Sequence, residues 1–327
     1  MEQRVLGRTG LRVSAIGFGC GNIGGLLVRG SEAAQREAIT AALAAGINYF
    51  DTAAQYGDGR SETQLGRTLR AVGAEPLVGT KVRLAPAQLA DIPGALRAAL
   101  EASLRRLGRD HVDLFQLHNA IAAEADPGRG VLDVATVCGP VVEGLRALQA
   151  AGRTRYIGCT GLGETAALHQ VVASGKFDTI QCYFNALNPS AGYPGHVPAD
   201  GQDFAGLIDR AAAAGMGVLA IRVLAAGAVA ATPARHALAG APGTPLAPGG
   251  TYERDLERAA RLRQLAAELG LEGPVELALR CVLAQPRVSV ALVGFSDTAQ
   301  VVDAVRWAER GPLPAEAVAR VLALTTS

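Results

Sequence analysis

The amino-acid sequence predicts an α/β protein with the architecture of a (β/α)8 TIM barrel. Short aliphatic and β-branched runs alternate eight times with longer amphipathic stretches along the 327 residues, a pattern typical of repeated βα units and a parallel sheet. No linker divides the chain, and no GxGxxG motif opens a helix after the first strand, so a closed barrel is favoured over a doubly wound sheet. We therefore expect residues 1–327 to form one barrel domain.

The elements follow from the order of these runs. An N-terminal β-hairpin is expected from residues 4–6 and 12–14. The barrel strands are expected at residues 15–18, 47–50, 77–80, 112–117, 155–159, 179–181, 217–221 and 288–293. Helices between them are expected, among others, at residues 32–45, 62–71, 87–107 and 141–151. Each of these four is followed closely by a glycine, which tolerates the positive φ that often ends a helix.

Several long loops are expected at the C-terminal face of the barrel. The glycine-rich segment 17–25 is interpreted as part of a flexible first βα loop, because its glycines lack the dinucleotide-fingerprint spacing. The Pro/Gly-rich segments 188–202 and 225–250 follow the sixth and seventh strands. On a barrel these loops cover the mouth, and together with residues 120–139 they are expected to shape the substrate pocket.

Composition excludes several classes of partner. The 31 basic side chains nearly balance the 30 acidic ones, without a basic stripe for nucleic acid or a polybasic segment for a membrane surface. No apolar run approaches the ~20 residues that span a bilayer. The first residues lack the apolar region of a secretion signal, so we expect a cytoplasmic protein. The sequence does not indicate its oligomeric state.

The cysteines and histidines carry no metal-binding pattern. The five cysteines are widely and irregularly spaced, which favours reduced packing residues over disulfides. They are Cys20, Cys138, Cys159, Cys182 and Cys281. HExxH motifs and CxxC pairs are absent from the sequence, so no metal site is expected.

The informative feature is the polar residues at the ends of the predicted strands. Five such positions are Asp51, Lys81, His118, Thr160 and Gln181. In a barrel the C-terminal ends of all strands meet at one rim, so these side chains are expected to form a single site. Tyr56 lies five residues beyond Asp51, within reach of the same rim.

Several segments around these residues resemble the aldo-keto reductase family. They are FDTAAQYGDGRSETQLG (50–66), VGTK (78–81), LGRDHVDLFQLHN (107–119), YIGCTG (156–161) and IQCYFN (180–185), with LGRTGLRVSAIGFG (6–19) at the start and VALVGFSDTAQVVDAV (290–305) near the end. The resemblance implies a barrel enzyme that reduces a small aldehyde or ketone with a nicotinamide cofactor. It also implies that Asp51, Tyr56, Lys81 and His118 are the catalytic residues.

The chemistry of these four residues leads to the same roles. Reducing a carbonyl with hydride builds negative charge on oxygen, which a proton donor neutralises. Tyr56 is the expected donor, and because an unperturbed phenol gives up its proton only near pH 10, a neighbouring ammonium is needed. Lys81 is the expected ammonium, and Asp51 is expected to hold its charge. His118 is expected to hydrogen-bond the carbonyl oxygen and to assist proton transfer.

The resemblance places the nicotinamide across the barrel mouth. Thr160 and Gln181 are the expected contacts to its carboxamide. Relatives commonly carry an asparagine at the position of Gly161, so one side-chain contact is missing in this chain. Relatives also place an aromatic ring near Ile221 to stack on the nicotinamide. Here either Ile221 offers an apolar surface or Tyr183 supplies the ring.

The adenosine end is expected at the last βα unit. Gly294 ends its strand, and a helix beginning near Asp297 presents free N–H groups to phosphate. Gly294 and Gln300 replace cationic residues of NADPH-specific relatives, and Asp303 matches a family acid that contacts adenine. Arg222 is expected to meet either cofactor phosphate, an anionic substrate or a salt-bridge partner inside the rim.

Three further cofactor contacts are predicted, namely Gly21 in the first βα loop and Leu224 and Gly227 after the seventh strand. NADP(H) is the favoured cofactor from the family resemblance, and NAD(H) is possible. Two other functions remain open. One is a nicotinamide-binding, channel-associated regulatory subunit with little turnover. The other is an aldolase that uses Lys81 as a Schiff-base nucleophile, although a lysine paired with an acid is a poor nucleophile.

Overall fold

The computed structural model of the protein describes residues 1–242 and 251–325. Its strands are β1 (Gln3–Val5), β2 (Arg12–Ser14), β3 (Ile16–Gly19), β4 (Tyr49–Asp51), β5 (Leu77–Val82), β6 (Val112–Leu117), β7 (Ala120–Ala122), β8 (Val131–Asp133), β9 (Thr154–Gly161), β10 (Thr179–Tyr183), β11 (Gly217–Ile221) and β12 (Val290–Gly294). Its α-helices are α1 (Leu26–Arg29), α2 (Glu32–Ala44), α3 (Arg60–Val72), α4 (Ile92–Leu107), α5 (Val134–Thr136), α6 (Val142–Ala150), α7 (Thr165–Ala173), α8 (Leu207–Ala213), α9 (Tyr252–Glu268), α10 (Pro274–Leu283), α11 (Thr298–Glu309) and α12 (Ala315–Ala323).

Within the described residues, eight parallel strands close into a barrel in the order β3, β4, β5, β6, β9, β10, β11, β12 and back to β3. The antiparallel pair β1 and β2 forms the predicted N-terminal hairpin. Its connecting turn lies against the start of β11, where the Arg8 amide donates to the Gly215 carbonyl at 2.7 Å. The predicted (β/α)8 barrel with an N-terminal hairpin is thereby confirmed.

Two predicted elements differ from the structure in detail. The helix expected at residues 87–107 is divided into a 3-10 turn (Pro86–Asp91) and α4. Asp91 accepts a hydrogen bond from the Gly94 amide and so begins a new helix, whose first turn contains Pro93. The loop expected at residues 120–139 contains the short parallel pair β7 and β8. Of the predicted loop 225–250, residues 243–250 lie outside the described part.

Apolar packing fills both the inside and the outside of the barrel. Inside, buried residues such as Tyr49, Leu114, Leu219 and Val290 form one cluster, which Leu6 of the hairpin helps to close. A larger cluster lies between the strands and the surrounding helices. Because side chains alternate along a strand, the residue two positions after an inward apolar side chain also points inward, and at the C-terminal end of a strand it lies at the barrel mouth.

The register of the strands positions the polar rim. Asp51 at the end of β4 pairs with Gly19 of β3 on one side and with Gly79 of β5 on the other. Thr160 of β9 lies opposite Gln181 of β10. None of the helices in residues 1–242 and 251–325 has the length and apolar character needed to cross a membrane.

A buried charge pair fixes the helices next to the rim. Glu62 of α3 is fully buried, and Arg106 of α4 donates to it at 2.6 Å. The other carboxylate oxygen of Glu62 accepts from the Thr80 hydroxyl at 2.6 Å. Thr80 precedes Lys81 on β5, so this carboxylate joins two helices to the strand that carries a predicted catalytic residue.

We expect Arg106→Met to lower the free energy of unfolding by about 3 kcal/mol, because removing one partner leaves a buried carboxylate without its counter-charge. Urea unfolding at an unchanged m-value measures this loss. The matched control is Arg67→Met, which removes the ion pair to Glu32 between two solvent-exposed side chains and should cost less than about 1 kcal/mol. Equal losses in the two variants would contradict the role of the buried pair.

Candidate active site

A cleft of about 610 Å³ opens at the C-terminal ends of the barrel strands, within the size range of small-molecule and cofactor sites. Its floor includes residues from several strand ends, among them Gly19, Asp51, Thr160, Gln181 and Gly294. The chain thus brings together, in one concave surface, residues that are as much as 275 positions apart.

Asp51 and Lys81 form an ion pair beneath this cleft. The Lys81 side chain is fully buried, and its ammonium also donates to the carbonyl oxygen of Thr52 at 2.9 Å. Burial disfavours the charged form of Lys81, but the Asp51 carboxylate and Tyr56 outweigh it and raise the pKa of Lys81 above its ordinary value. Lys81 therefore stays an ammonium at neutral pH.

The second carboxylate oxygen of Asp51 accepts hydrogen bonds from three other side chains. Gln181 Nε2 donates to Oδ2 at 2.8 Å, and Gln116 Nε2 donates at 3.3 Å. The Tyr49 hydroxyl donates from below at 3.3 Å. Asp51 is only 4% exposed, so these contacts satisfy a carboxylate that lies almost out of reach of water.

The Tyr56 hydroxyl lies between the buried ammonium and the open cleft. Lys81 Nζ donates to it at 3.3 Å, and Tyr56 lines the cleft with its side chain half-buried. The loop after β4 delivers this tyrosine in a short turn, in which the Tyr56 amide donates to the Ala53 carbonyl. A hydroxyl with an ammonium on one side and open space on the other is placed to exchange a proton with a bound molecule.

His118 stands beside Tyr56 at the end of β6. The two rings meet edge to face with centroids 6.1 Å apart. Burial, and then the positive charges of Lys81 and Arg83, lower the pKa of His118 to about 3. The imidazole is therefore neutral at physiological pH. Its Nδ1 lies 3.4 Å from the side-chain oxygen of Gln55, a neighbour that the sequence did not single out.

Every residue predicted to contact the cofactor lines the same cleft. These residues are Gly21, Asp51, Thr160, Gln181, Arg222, Leu224, Gly227, Gly294, Gln300 and Asp303. The Thr160 hydroxyl is buried and has no hydrogen-bond partner within the described residues. A buried hydroxyl without a partner is costly unless a bound group satisfies it.

At the expected nicotinamide end, the sequence left either Ile221 or Tyr183 to face the ring, and it placed Gly161 where relatives carry a side chain. The ring of Tyr183 stacks on Phe204, with centroids 5.4 Å apart, and does not line the cleft, whereas Ile221 does. Ile221 is therefore the apolar surface at this point. Gly161 has a steric reason to lack a side chain, because a Cβ there would lie 2.9 Å from the carbonyl oxygen of Gln181 on the neighbouring strand.

The loop after β11 contributes two arginines to the cleft. Arg222 has a positive φ of 56° and donates to the Pro242 carbonyl at 3.2 Å. Among the described residues it has no carboxylate partner, so the salt bridge left open for it is not present there. Arg235, which sequence reasoning missed, donates to Tyr252 and to backbone carbonyls while its Nε is buried without a partner.

The expected adenosine end of the cleft lies around the first turn of α11. Asp297 caps this helix by accepting from the Gln300 amide at 2.8 Å, and its other oxygen lies 3.3 Å from His236 Nε2. The side-chain oxygen of Gln300 accepts from the Ser296 amide, so it is engaged within the loop. Asp303 forms an ion pair with Arg306. Within residues 1–242 and 251–325, no group of acidic, cysteine or histidine side chains could hold a metal ion.

Comparisons with known proteins agree with this architecture. The sequence model of the Aldo/keto reductase family matches residues 15–325. L-galactose dehydrogenase of Arabidopsis thaliana is 28% identical over 308 residues, which are 92% of this chain and 86% of that protein.

Two solved structures share the fold. An aldo-keto reductase from Bacillus halodurans in its holo form has a TM-score of 0.73 and 23% identity, over 99% of this chain and 96% of that one. An aldo-keto reductase from Klebsiella pneumoniae in complex with NADPH has a TM-score of 0.72 and 20% identity, over 99% and 95%. The family match over nearly the whole length confirms the resemblance that the sequence motifs carried. The chain therefore belongs to the Aldo/keto reductase family and is an NAD(P)-dependent oxidoreductase.

Proposed function

We propose that this protein transfers a hydride between NADP(H) and a small aldehyde or ketone, with Tyr56 as the group that donates the proton. One observation carries the proposal. The buried Lys81 ammonium contacts both the Asp51 carboxylate and, at 3.3 Å, the Tyr56 hydroxyl at the floor of an open cleft. This arrangement supports proton donation to an oxygen that becomes negative during reduction.

The residues of the cleft fit a nicotinamide cofactor. Within the described residues, the buried Thr160 hydroxyl has no hydrogen-bond partner. The side-chain nitrogen of Gln181 beside it donates to Asp51, and its side-chain oxygen accepts no hydrogen bond there, so this oxygen suits an amide donor. We assign these two side chains to the carboxamide. The cofactor, when bound, supplies the hydride.

Phosphate contacts are assigned to the other half of the cleft. Arg222 and Arg235 both line it, and within the described residues neither guanidinium has a carboxylate partner. Guanidinium groups left with spare donors suit the charged oxygens of a diphosphate. Gly21, Leu224, Gly227 and Gly294 also line the cleft.

The four central side chains divide the proton chemistry between them. Asp51 keeps Lys81 charged, and Lys81 stabilises the phenolate that Tyr56 becomes after donating its proton. His118 is neutral because burial and Lys81 lower its pKa to about 3. It acts as a hydrogen-bond donor that orients the carbonyl oxygen, while Tyr56 gives the proton.

NADP(H) is the cofactor we propose, on family membership and on the NADPH bound in the Klebsiella pneumoniae relative. Asp303 lines the proposed adenosine end of the cleft, where its negative charge would oppose a 2′-phosphate, so NADH is compared with NADPH in every assay. The substrate panel includes small aldehydes and ketones, and, in the oxidative direction, L-galactose, the sugar named for the Arabidopsis relative.

We expect Tyr56→Phe to lower turnover of the best substrate by at least ~100-fold, the scale of lost general acid catalysis, while cofactor binding is retained. Oxidation of the reduced cofactor is followed by absorbance. Tyr156→Phe is the matched control, because the Tyr156 hydroxyl donates to the Thr9 carbonyl at the hairpin end of the barrel, and its turnover should be unchanged. Undiminished turnover of Tyr56→Phe would overturn the mechanism. Cofactor binding without turnover of any substrate would support a regulatory subunit instead.

We expect Thr160→Val to weaken binding of the cofactor about fivefold, corresponding to one hydrogen bond of ~1 kcal/mol. Fluorescence titration of the reduced cofactor measures the dissociation constant. Thr179→Val is the matched control: the Thr179 hydroxyl is also buried without a partner, but this residue lies below the cleft and does not line it. Equal affinities of the two variants would contradict the assignment of Thr160.

We expect His118 to remain neutral from pH 8 down to about pH 5, since its pKa is lowered to about 3. An ordinary histidine would gain a proton near pH 6.5, and a rate that depends on a neutral His118 would then fall below that pH. Proton NMR of the imidazole, assigned by comparison with His118→Gln, follows the titration directly. A chemical-shift midpoint near pH 6.5 would show that the ring is more accessible than this structure indicates.

A further inference from the structure

Tyr49 is a buried polar residue that the proposed mechanism does not yet use. It lies on β4 two positions before Asp51, so both side chains point to the inside of the barrel. Tyr49 is fully buried in the apolar cluster of the barrel interior. Its hydroxyl is directed up toward the rim and donates to Asp51 Oδ2 at 3.3 Å.

Two neighbouring strands leave space for this phenol. Gly79, which pairs with Asp51 on β5, lies so close to the Tyr49 hydroxyl that a Cβ at this glycine would overlap with it. On the other side, a Cβ at Gly17 of β3 would meet Leu292 at 2.6 Å, Val290 at 2.8 Å and the Tyr49 ring at 3.2 Å. Glycines on both flanking strands therefore make room for a ring that ends at the carboxylate.

The phenol occupies a well-defined place among the donors to Asp51. One carboxylate oxygen pairs with Lys81, and the other accepts from Gln181, Gln116 and Tyr49. Gln181 and Gln116 reach Asp51 from other strands at the rim, whereas Tyr49 reaches it from the barrel interior. A carboxylate held from several directions cannot rotate away from the ammonium.

We propose that Tyr49 is a positioning residue for catalysis, which, by hydrogen-bonding Asp51 from inside the barrel, sets the pH at which the Lys81 and Tyr56 pair exchanges its proton. This inference rests on the proposed function. The positive end of the Tyr49 O–H dipole points at the carboxylate and offsets part of its charge. Without that dipole the potential at Lys81 and Tyr56 becomes more negative, and the pair holds its proton to higher pH.

Tyr49 itself does not titrate in the working range. Burial, and then the charge of Asp51, raise its pKa well above the ordinary value for tyrosine. It therefore stays a hydrogen-bond donor whenever the enzyme is folded.

Three other titratable side chains of the described residues lie near this centre, namely Cys20, Asp113 and His118. Cys20 follows β3, and burial followed by the Asp51 charge raises its pKa, so it stays a thiol. Asp113 at the start of β6 is paired with Arg155 at 2.8 Å and accepts from the Val78 amide. His118 is neutral at the pH of the assay. Among the described residues, the side chain that forms an ion pair with Asp51 is Lys81.

The test is the pH profile of alcohol oxidation with the oxidised cofactor, in which the rate rises as Tyr56 becomes able to accept a proton. We expect Tyr49→Phe to move the midpoint of this rise upward by roughly half a pH unit. Below the midpoint, the rate at fixed pH then falls about threefold. The substitution removes one oxygen atom and leaves the ring in place, so the barrel interior remains filled.

Tyr156→Phe is the matched control. Tyr156 packs against the same interior cluster, and its hydroxyl donates to the Thr9 carbonyl at 2.6 Å, at the hairpin end of the barrel and away from Asp51. Its profile should keep the midpoint of the unsubstituted protein. If Tyr49→Phe fails to fold, Gln116→Met removes another donor to the same oxygen and should give an upward shift of the same kind.

The outcomes separate this inference from the proposed function. A Tyr49→Phe midpoint that equals that of Tyr156→Phe, or lies below it, overturns the inference even if Tyr56→Phe is inactive. Full activity of Tyr56→Phe overturns the proposed function itself. An upward shift in Tyr49→Phe that is absent from Tyr156→Phe supports both.

Discussion

The ion pair between Asp51 and Lys81 is the interaction on which the rest of the site depends. A lysine that is fully buried loses the hydration of its ammonium, a cost of several kcal/mol that only a close opposite charge and further hydrogen bonds offset. Here the carboxylate, the Thr52 carbonyl and the Tyr56 hydroxyl surround Nζ. Asp51, Thr52 and Tyr56 belong to β4 or to the loop that follows it, and Lys81 lies on the neighbouring strand β5. The pairing of β4 with β5 therefore holds the ammonium beside these groups.

The same pair explains why parts of the site were predictable from sequence. Asp51 and Lys81 end apolar runs, and period-two alternation together with barrel closure is enough to bring such strand ends to one rim. His118 directly follows the apolar strand β6, so its place at the rim is predictable in the same way. The fold was predictable because few architectures other than a closed barrel accommodate eight alternating strands and helices in a chain without a linker.

Other parts of the site depend on contacts that periodicity does not encode. Tyr49 looks like an ordinary core residue of an apolar strand, and only its hydrogen bond to Asp51 and the close approach of Gly79 show where its hydroxyl points. Arg235 lies in a loop whose path the sequence does not determine. The absence of a side chain at Gly161 first reads as a lost cofactor contact, yet the backbone of β10 approaches so closely that a Cβ would crowd Gln181.

A single buried ammonium also separates the roles of the two groups nearest the expected carbonyl oxygen. The charge of Lys81 adds to burial in lowering the pKa of His118, which keeps the imidazole neutral and restricts it to hydrogen bonding. The same ammonium donates a hydrogen bond to the Tyr56 hydroxyl, and in the proposed mechanism it stabilises the negative oxygen that remains when Tyr56 has given up its proton. In the proposed mechanism, this one cation makes the tyrosine the group that gives and takes the proton and leaves the histidine to orient the substrate. Because Asp51 maintains that cation, any change in the hydrogen bonds to Asp51 alters both roles together.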